Sequence, residues 1–255
     1  MPNETKKANS GLPLAIIVGI LIAVAVGGWW FYNSSKTVKP GPEPQVTKTP
    51  PPTNAPIGAV PPNMLGSPTA PVTVEEFADF QCPSCGLAYP TMKEIQGIYG
   101  SRIKFIFRNY PLPMHDKAYD AAVAAEAAGM QGSDKFWAMQ NLLYTNQKAW
   151  SSDPNFKQVF ADYAQRICVD PAKFQQDIAG LGAKSRVDED AKRARGLNVS
   201  STPTVYINGV SIPFDQLNVT ALRQIIDGEL QKAAAANQQA AGGEKPANNS
   251  NTAAK

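Results

Sequence analysis

The feature that most constrains the fold is a pair of cysteines at the junction between two kinds of local pattern. Cys82 and Cys85 are separated by Pro-Ser and follow the segment VTVEEFADF (72–80), which is typical of a strand. Residues 84–99 after them have helical character. A fold that accommodates this segment must therefore present two thiols where a strand gives way to the first turn of a helix.

Three roles are open for this pair: a structural disulfide, half of a metal site, or a redox couple. Closing so short a loop stabilises a fold by only about 2 kcal/mol. A closed zinc site needs four ligands, and the further candidates His115 and Cys168 stand at no familiar spacing. A helix N-terminus lowers the pKa of a thiol. The position thus favours a redox couple, with Cys82 exposed and Cys85 placed to attack a mixed disulfide.

The N-terminus contains 21 consecutive residues without a charge, residues 12–32, which is enough for a transmembrane helix. Two lysines precede this run, and Trp29, Trp30 and Tyr32 end it like an interfacial aromatic belt. We expect residues 1–11 to be cytoplasmic, residues 12–32 to be an anchor, and the rest to be extracytoplasmic, in the periplasm or at the cell surface. A cleaved signal peptide ending near Ala25 is the alternative, and it also predicts export.

A proline-rich segment and a polar tail delimit the folded part of the chain. Eleven of the 22 prolines lie between residues 40 and 71, so residues 33–60 are predicted to be an extended linker reaching up to roughly 80 Å. Residues 236–255 are predicted to be disordered, which leaves residues 61–235 as the domain. The net charge of only +3, without a basic cluster, argues against nucleic-acid binding.

Within this domain the patterns predict an α/β fold with a helical insertion. Residues 72–80 and 102–110 are predicted strands, and residues 204–214 are a predicted hairpin that turns at Asn208-Gly209. Residues from 115 to about 185 are predicted to be mainly helical, and an amphipathic helix closes the domain.

Four segments, in this order, carry a resemblance to a known family: EFADFQCPSC, NYPLPMHDKAYDAAVAAEAA, DKFWAMQNLLY and STPTVYINGV. Over residues 65–230 the chain resembles the DsbA-like, thioredoxin-fold thiol–disulfide oxidoreductases, in their membrane-anchored or exported bacterial branch. The resemblance implies a thioredoxin fold, with a mixed central sheet flanked by helices, which would follow the one N-terminal transmembrane helix that the uncharged run predicts. It implies no cofactor and no metal.

The resemblance also implies roles for individual residues. Cys82 corresponds to the nucleophilic cysteine, Cys85 to the buried resolving cysteine, and Pro203 to the cis-proline beside them. The backbone of Thr202 would pair with an extended substrate chain. Glu76 matches a buried carboxylate that accepts the proton of Cys85, and the alternative for Glu76 is a solvated carboxylate on a strand.

The function implied is donation of the Cys82–Cys85 disulfide to exported protein thiols, with reoxidation by a quinone-linked membrane oxidoreductase. Ser84 stands where the strongest oxidants of the family have His, which predicts a moderate oxidant. Two alternatives remain open: a reductase or isomerase supplied with electrons from the membrane, and a non-catalytic metallochaperone or holdase.

Four further residues are interpreted as structural. His115, the only histidine, opens the helical block, and Asp79 belongs to the strand motif. Trp137 is predicted to lie in the core. Cys168 is predicted to be a small buried hydrophobic residue, with a second redox role or an intermolecular disulfide as the alternative.

Overall fold

A computed structural model describes residues 14–35 and 54–242. The chain divides into two compact units, Met1–Gln45 and Val46–Lys255. The predicted cytoplasmic segment 1–11 and most of the predicted linker and tail lie outside the described residues. Helix α1 (Leu14–Ser35) coincides with the apolar run, and only part of it is described at the level of side chains. Within the described residues, no helix meets the length and hydropathy needed to cross a bilayer.

The second unit is built on a five-stranded mixed sheet in the order β1-β3-β2-β4-β5. The strands are β1 (Asn63–Gly66), β2 (Val72–Ala78), β3 (Ile103–Asn109), β4 (Thr204–Ile207) and β5 (Val210–Ile212). Strands β2 and β3 are parallel, and the other three neighbouring pairs are antiparallel. The hairpin β4–β5 turns at Asn208 and Gly209, both with positive φ, as the Asn-Gly dipeptide predicts.

Eight helices accompany this sheet in the described part of the domain. They are α2 (Pro83–Tyr99), α3 (Ala118–Gly129), α4 (Ser133–Thr145), α5 (Gln147–Ser152), α6 (Phe156–Arg166), α7 (Pro171–Ala179), α8 (Leu181–Gly196) and α9 (Val219–Gly242). Helix α2 is the crossover between the parallel strands, and α3–α8 form the insertion. Asp170 caps α7 by accepting a hydrogen bond from the Lys173 amide at 2.7 Å, and Pro171 follows at the first helical position.

The two faces of the sheet are covered differently. One face packs against α2, α3, α4 and α9 in a large apolar core, to which β2 contributes Val72, Val74 and Ala78. Trp137 packs against that core at its margin. The opposite face carries Phe77 and Tyr206, which form a smaller cluster with Ala194 at the end of α8. The alternation of β2 between two buried faces explains why nearly all of its side chains are buried.

The structure departs from the sequence-based prediction in several places. Strand β1 was not predicted, because its four residues are too few to establish an alternating pattern. The helical insertion continues to Gly196, past residue 185, and the closing helix continues to Gly242, past residue 235. The domain also begins earlier than residue 61: Ala59, assigned to the linker, is buried against the domain.

Cys168 was predicted to be buried, and this was wrong. The residue is exposed and lies just after α6 in the left-handed region, with φ of 58°. Its amide donates to the Gln165 carbonyl oxygen at 3.0 Å, so it belongs to the turn that ends the helix. The apolar periodicity along α6 ends at Ile167, one residue before Cys168. The pattern therefore assigned Cys168 to the buried side of a helix that had already ended.

Candidate active site

The two cysteines lie where the sheet meets the N-terminus of α2. Cys82 is the N-cap residue, with extended backbone (φ −65°, ψ 120°), and Pro83 occupies the first turn. The Cys82 amide donates to the Asp79 carbonyl oxygen at 3.2 Å, and the Cys82 carbonyl oxygen accepts from the Gly86 amide at 3.1 Å. This turn presents Cys82 at the positive end of the helix dipole, where a thiolate is stabilised.

The two sulfurs differ sharply in their environment. Both cysteines are free thiols: Cys82 was predicted to be exposed but is buried beside the Thr202 loop with 7% of the residue accessible, and Cys85 is fully buried. A hydrogen bond from the Cys85 thiol outweighs burial and, helped by Thr202 and the amides of Cys85 and Ser84, lowers the pKa of Cys82 to about 5. Burial, and then that same hydrogen bond to Cys82, raises the pKa of Cys85 far above its ordinary value. At neutral pH one sulfur is therefore a thiolate and the other a thiol.

The loop before β4 closes over this pair. The peptide bond between Thr202 and Pro203 is cis. The carbonyl oxygen of Thr202 lies 3.4 Å from the Cys82 sulfur, although 120 residues separate them in the chain. Cys82, Cys85, Thr202 and Pro203, which the sequence singled out, thus come together in one site.

Glu76 lies inside the domain, on the strand that leads to the thiols. Its position on β2 is opposite Phe107 of β3 and Val205 of β4, and only 4% of the residue is exposed. Burial alone raises the pKa of its carboxyl group to about 8. Of the two interpretations of Glu76, the buried carboxyl group is the one that matches this environment, and at neutral pH it holds a proton.

Asp79 and His115 anchor the loop that carries Cys82. One carboxylate oxygen of Asp79 accepts from the Gln81 amide at 2.7 Å and from the Cys82 amide at 3.3 Å. The other accepts from the Leu112 amide at 2.8 Å and lies 2.7 Å from Nδ1 of His115. The structural interpretation of both residues agrees with this geometry, because they tie the thiol loop to the loop that leads into the insertion.

Two residues that the sequence did not single out also belong to this site. Gln147, on α5, donates through Nε2 to the carbonyl oxygens of Phe80 and Cys82, both at 2.8 Å. Its side-chain oxygen is only 2.4 Å from where a Cβ at position 86 would be, so Gly86 leaves the room for Gln147 to hold both carbonyl oxygens, an arrangement called the Gln147 clamp below. Tyr144, on α4, packs its ring at a tilt against Phe80 and stacks on Tyr89, with ring centroids 5.0 and 4.9 Å away. No motif spacing could reveal either, since each approaches the residues around the thiols from a separate helix of the insertion.

A dithiol at a helix N-terminus, beside a cis-proline and preceded by a strand that carries a buried acid, defines a redox-active protein of the thioredoxin fold. Among the residues that the structure describes, no cluster of three or more His, Cys, Asp or Glu could hold a metal ion.

Comparisons with known proteins agree with this class. The family model described as Thioredoxin matches residues 59–228. A probable disulfide bond formation protein D of Bacillus cereus is 32% identical over 178 residues, which cover 66% of this chain and 78% of the relative. The crystal structure of oxidised BdbD from Bacillus subtilis superimposes with a TM-score of 0.59 at 27% identity, covering 67% of this chain and 93% of that one.

A second kind of relative is much longer than this chain. The Na(+)/H(+) antiporter NhaA 1 of Mycolicibacterium gilvum is 31% identical over 211 residues, which are 82% of this chain and 31% of the antiporter. This chain therefore spans less than a third of that relative. The chain belongs to the thioredoxin family, among its DsbA-like thiol–disulfide oxidoreductases.

Proposed function

We propose that this chain is a thiol–disulfide oxidoreductase that donates the Cys82–Cys85 disulfide to the thiols of exported proteins. The observation that carries the proposal is the asymmetry of the pair: the pKa of Cys82 is about 5, whereas that of Cys85 is strongly raised. A sulfur with a low pKa is a good leaving group in thiol–disulfide exchange. Cys82, next to the cis-proline loop, is also the more accessible of the two cysteines, with 7% of the residue exposed against none of Cys85.

The reaction proceeds through two exchanges. A substrate thiolate attacks Cys82, the bond between Cys82 and Cys85 breaks, and its electron pair leaves on Cys85. A second substrate thiolate then attacks the substrate sulfur of the mixed disulfide and releases Cys82 as a thiolate. The substrate has lost two electrons and gained a disulfide, and the Cys82–Cys85 pair has gained those two electrons. Thr202 would meanwhile pair through its backbone with the extended substrate.

The environment of Cys82 also supports the direction of electron flow. Stabilising the Cys82 thiolate stabilises the reduced pair, which makes the disulfide more oxidising. The donors around Cys82 are the Cys85 thiol and backbone amides, without a charged one, so a moderate oxidant is expected. Equilibration with glutathione buffers should give a reduction potential above about −200 mV. A potential near ~−270 mV, typical of thioredoxin, would instead favour the reductase alternative.

The activity can be tested directly with the purified full chain in detergent. The oxidised chain should form one disulfide per molecule in a reduced model protein, and Cys82→Ser should abolish this transfer. Cys168→Ser is the matched control, because Cys168 is exposed and outside the site, and it should transfer normally. Full activity of Cys82→Ser would contradict the proposal, and tight Cu(I) binding by the dithiol without transfer would favour the metallochaperone.

We infer further that the chain is tethered to the membrane with its thioredoxin domain on the extracytoplasmic side. The uncharged run of residues 12–32 and the preceding Lys6 and Lys7 support this. The full chain should remain with membranes after carbonate extraction, while a chain that begins at residue 36 should be released. An exported protein that has lost its first residues would point to a cleaved signal peptide.

A membrane position would also bring the reduced pair close to its oxidant, for which we propose a quinone-linked membrane oxidoreductase. Isolated membranes should then reoxidise the reduced full chain faster when a quinone is added. A rate that does not change with added quinone would argue against this partner.

A further inference from the structure

One side-chain amide holds the backbone immediately before α2. Nε2 of Gln147 donates to the carbonyl oxygens of Phe80 and Cys82, both at 2.8 Å, which uses both hydrogens that this amide group carries. The Cys82 carbonyl oxygen also accepts from the Gly86 amide at 3.1 Å, and this is the first hydrogen bond of α2. Gln147 therefore fixes the N-cap residue at the same carbonyl group by which the helix holds it.

The helix that carries Gln147 is itself anchored in the core. Helix α5 has only 6 residues, but Trp150, near its end, is 1% exposed. The Trp150 indole N–H donates to the Leu143 carbonyl oxygen at 2.7 Å, and its ring packs against Phe160 with centroids 5.2 Å apart. A side chain on an element fixed in this way can hold a neighbouring group in one geometry.

The residue between the two clamped carbonyl groups is held by a different segment. The side-chain oxygen of Gln81 accepts from the Lys117 amide at 2.7 Å, and its Nε2 donates to Asp116 at 2.8 Å. The backbone amide of Gln81 donates to Asp79 at 2.7 Å. The turn that carries the first thiol is therefore held both by α5 and by the loop that precedes α3.

The position of the Cys82 sulfur determines how well its thiolate is stabilised. The sulfur lies 3.4 Å from the Thr202 carbonyl oxygen and belongs to the residue that begins α2, at the positive end of the helix dipole. The Cys85 thiol, and after it Thr202 and nearby amides, lower the pKa of Cys82. Hydrogen bonds weaken steeply when their distances and angles change. A shift of the Cys82 backbone would therefore weaken these contacts together.

We propose that Gln147 is a positioning residue for Cys82: by holding the Phe80 and Cys82 carbonyl oxygens, it keeps the sulfur in place at the start of α2 and makes the Cys82–Cys85 disulfide more oxidising. The proposal deepens the oxidoreductase function proposed above and rests on it. Gln147 acts through the backbone of Cys82 and not on the reacting sulfur. Because only the reduced pair contains the thiolate, the Gln147 clamp stabilises the reduced protein more than the oxidised protein.

The first test is the equilibrium of the purified full chain with glutathione at pH 7, in detergent. The protein disulfide takes two electrons from two glutathione molecules, which become one glutathione disulfide; Cys85 retains one proton, and the other is released because Cys82 is a thiolate. Gln147→Met keeps a side chain of similar length without the two donors. It should lower the equilibrium constant for reduction of the protein about tenfold, which corresponds to about 30 mV. Gln147→Glu places acceptors against the same carbonyl oxygens and should lower it at least as far.

Gln131→Met is the matched control for these variants. Gln131 also holds backbone through its side-chain amide, which donates to the Asp170 carbonyl oxygen at 3.3 Å and accepts from the Asp170 amide at 2.9 Å. Those contacts lie within the insertion and involve no residue of the thiol loop. The equilibrium constant of Gln131→Met should therefore stay within about twofold of wild type, even if this variant unfolds more readily.

The stability of each redox form separates positioning from a structural role. In urea titrations at pH 7, Gln147→Met should lower the free energy of unfolding of the reduced protein more than that of the oxidised protein. At pH 4, below the Cys82 pKa of about 5, this sulfur is predominantly a thiol, so both forms should be destabilised equally. An equal loss in both forms at pH 7, or an unchanged equilibrium with glutathione, would overturn the proposal, since Gln147 would then act on the fold alone.

This outcome can be told apart from a failure of the proposed function. If wild type oxidises no reduced model protein but Gln147→Met still lowers the equilibrium constant, the oxidase function fails and the role of Gln147 stands. If wild type oxidises the model protein and both Gln147 variants keep the wild-type equilibrium constant, only the role of Gln147 fails.

Discussion

Glu76 is a carboxyl group that the fold keeps protonated at neutral pH, and this has a consequence for stability. Its pKa is about 8 in the folded protein against an ordinary value of 4.5. Below pH 4.5 it is neutral in both states, so its contribution to stability is fully present. Between pH 4.5 and 8 only the unfolded chain ionises, and this stability is progressively lost as the pH rises.

Glu76→Gln should therefore stabilise the oxidised protein at neutral pH. Glutamine is neutral at all pH values, so the gain in the free energy of unfolding should be near zero at pH 4 and roughly 3 kcal/mol at pH 7. Denaturant titrations of the oxidised form across this range avoid thiol ionisation. Glu94→Gln, on the exposed side of α2, is the control. A gain that does not grow with pH would show that the carboxyl group is not held neutral.

The Cys82 thiolate is stabilised mainly by the hydrogen bond from the Cys85 thiol, and this gives a second prediction about a single residue. The largest effect on the pKa of Cys82 is the hydrogen bond from Cys85. In Cys85→Ala this donor is gone, and the pKa of Cys82 should rise from about 5 toward its ordinary value of 9.0. In Cys85→Ser a hydroxyl can still donate, so the rise should be smaller. Thiolate absorbance against pH measures both, and an unchanged pKa in Cys85→Ala would assign the effect to the helix terminus.

The site shows which functional residues a sequence can reveal. Cys82, Cys85 and Glu76 lie within ten residues, and Pro203 is marked by its Thr-Pro motif. Glu76 could be placed on the core face because strand parity is a local rule. Gln147 and Tyr144 could not be found in this way. They stand 65 and 62 residues after Cys82, on two helices of the insertion, and nothing in their own segments distinguishes them from other surface or core positions.

At the scale of elements, α8 shows that a helix with a buried side can be missed in the sequence when many of its residues are charged and form ion pairs. Its inward residues follow helical spacing: Ala183, Val187, Asp190, Ala191 and Ala194. The sequence around them is highly charged, which is why the predicted insertion stopped near residue 185. Asp190 accepts from Arg108 at 2.9 Å, and Glu75 accepts from both Arg108 and Arg193 at 2.8 Å. Such partners let charged residues face a core, and no periodicity rule anticipates them.

The pairing of Gln147 with Gly86 couples α5 to α2, and it can be tested by a double-mutant cycle. A Cβ at position 86 would collide with the side chain of Gln147. Gly86→Ala should therefore destabilise the wild-type protein by displacing the clamp, with the loss of about 1–3 kcal/mol in the free energy of unfolding. In a Gln147→Ala background the same substitution should stabilise by up to ~1 kcal/mol, because alanine favours a helix more than glycine does.

The two effects of Gly86→Ala should thus have opposite signs, which additive substitutions cannot produce. Urea unfolding of the four proteins measures the coupling. If Gly86→Ala has the same effect on stability in both backgrounds, the side chain of Gln147 is not the reason that position 86 requires glycine.

At the scale of the whole molecule, the boundary of the domain is set by contacts and not by composition. The composition of residues 54–60 predicts a linker, since they continue a proline-rich segment. Yet Ala59 donates its amide to Asp190 at 2.9 Å, and the Arg108 guanidinium donates to the carbonyl oxygens of Ala59 and Ile57 at 3.0 Å. Arg193 donates to the Pro56 carbonyl oxygen at 2.9 Å. The first residues of the domain therefore complete the hydrogen bonds of two buried or half-buried arginines on the outer face of the sheet.

This predicts different stabilities for two shortened chains. A chain that begins at residue 54 keeps every one of these contacts and should unfold with the free energy of the full chain. A chain that begins at residue 62, close to the boundary that composition suggests, leaves donors of the buried Arg108 without acceptors. Because unpaired buried donors on a charged group are costly, we expect a loss of roughly 3 kcal/mol. Both chains retain Cys82, Cys85 and the cis-proline loop, so their thiol chemistry provides a check on folding. Equal stability of the two chains would mean that residues 54–61 contact the domain without stabilising it. The linker would then extend to residue 61.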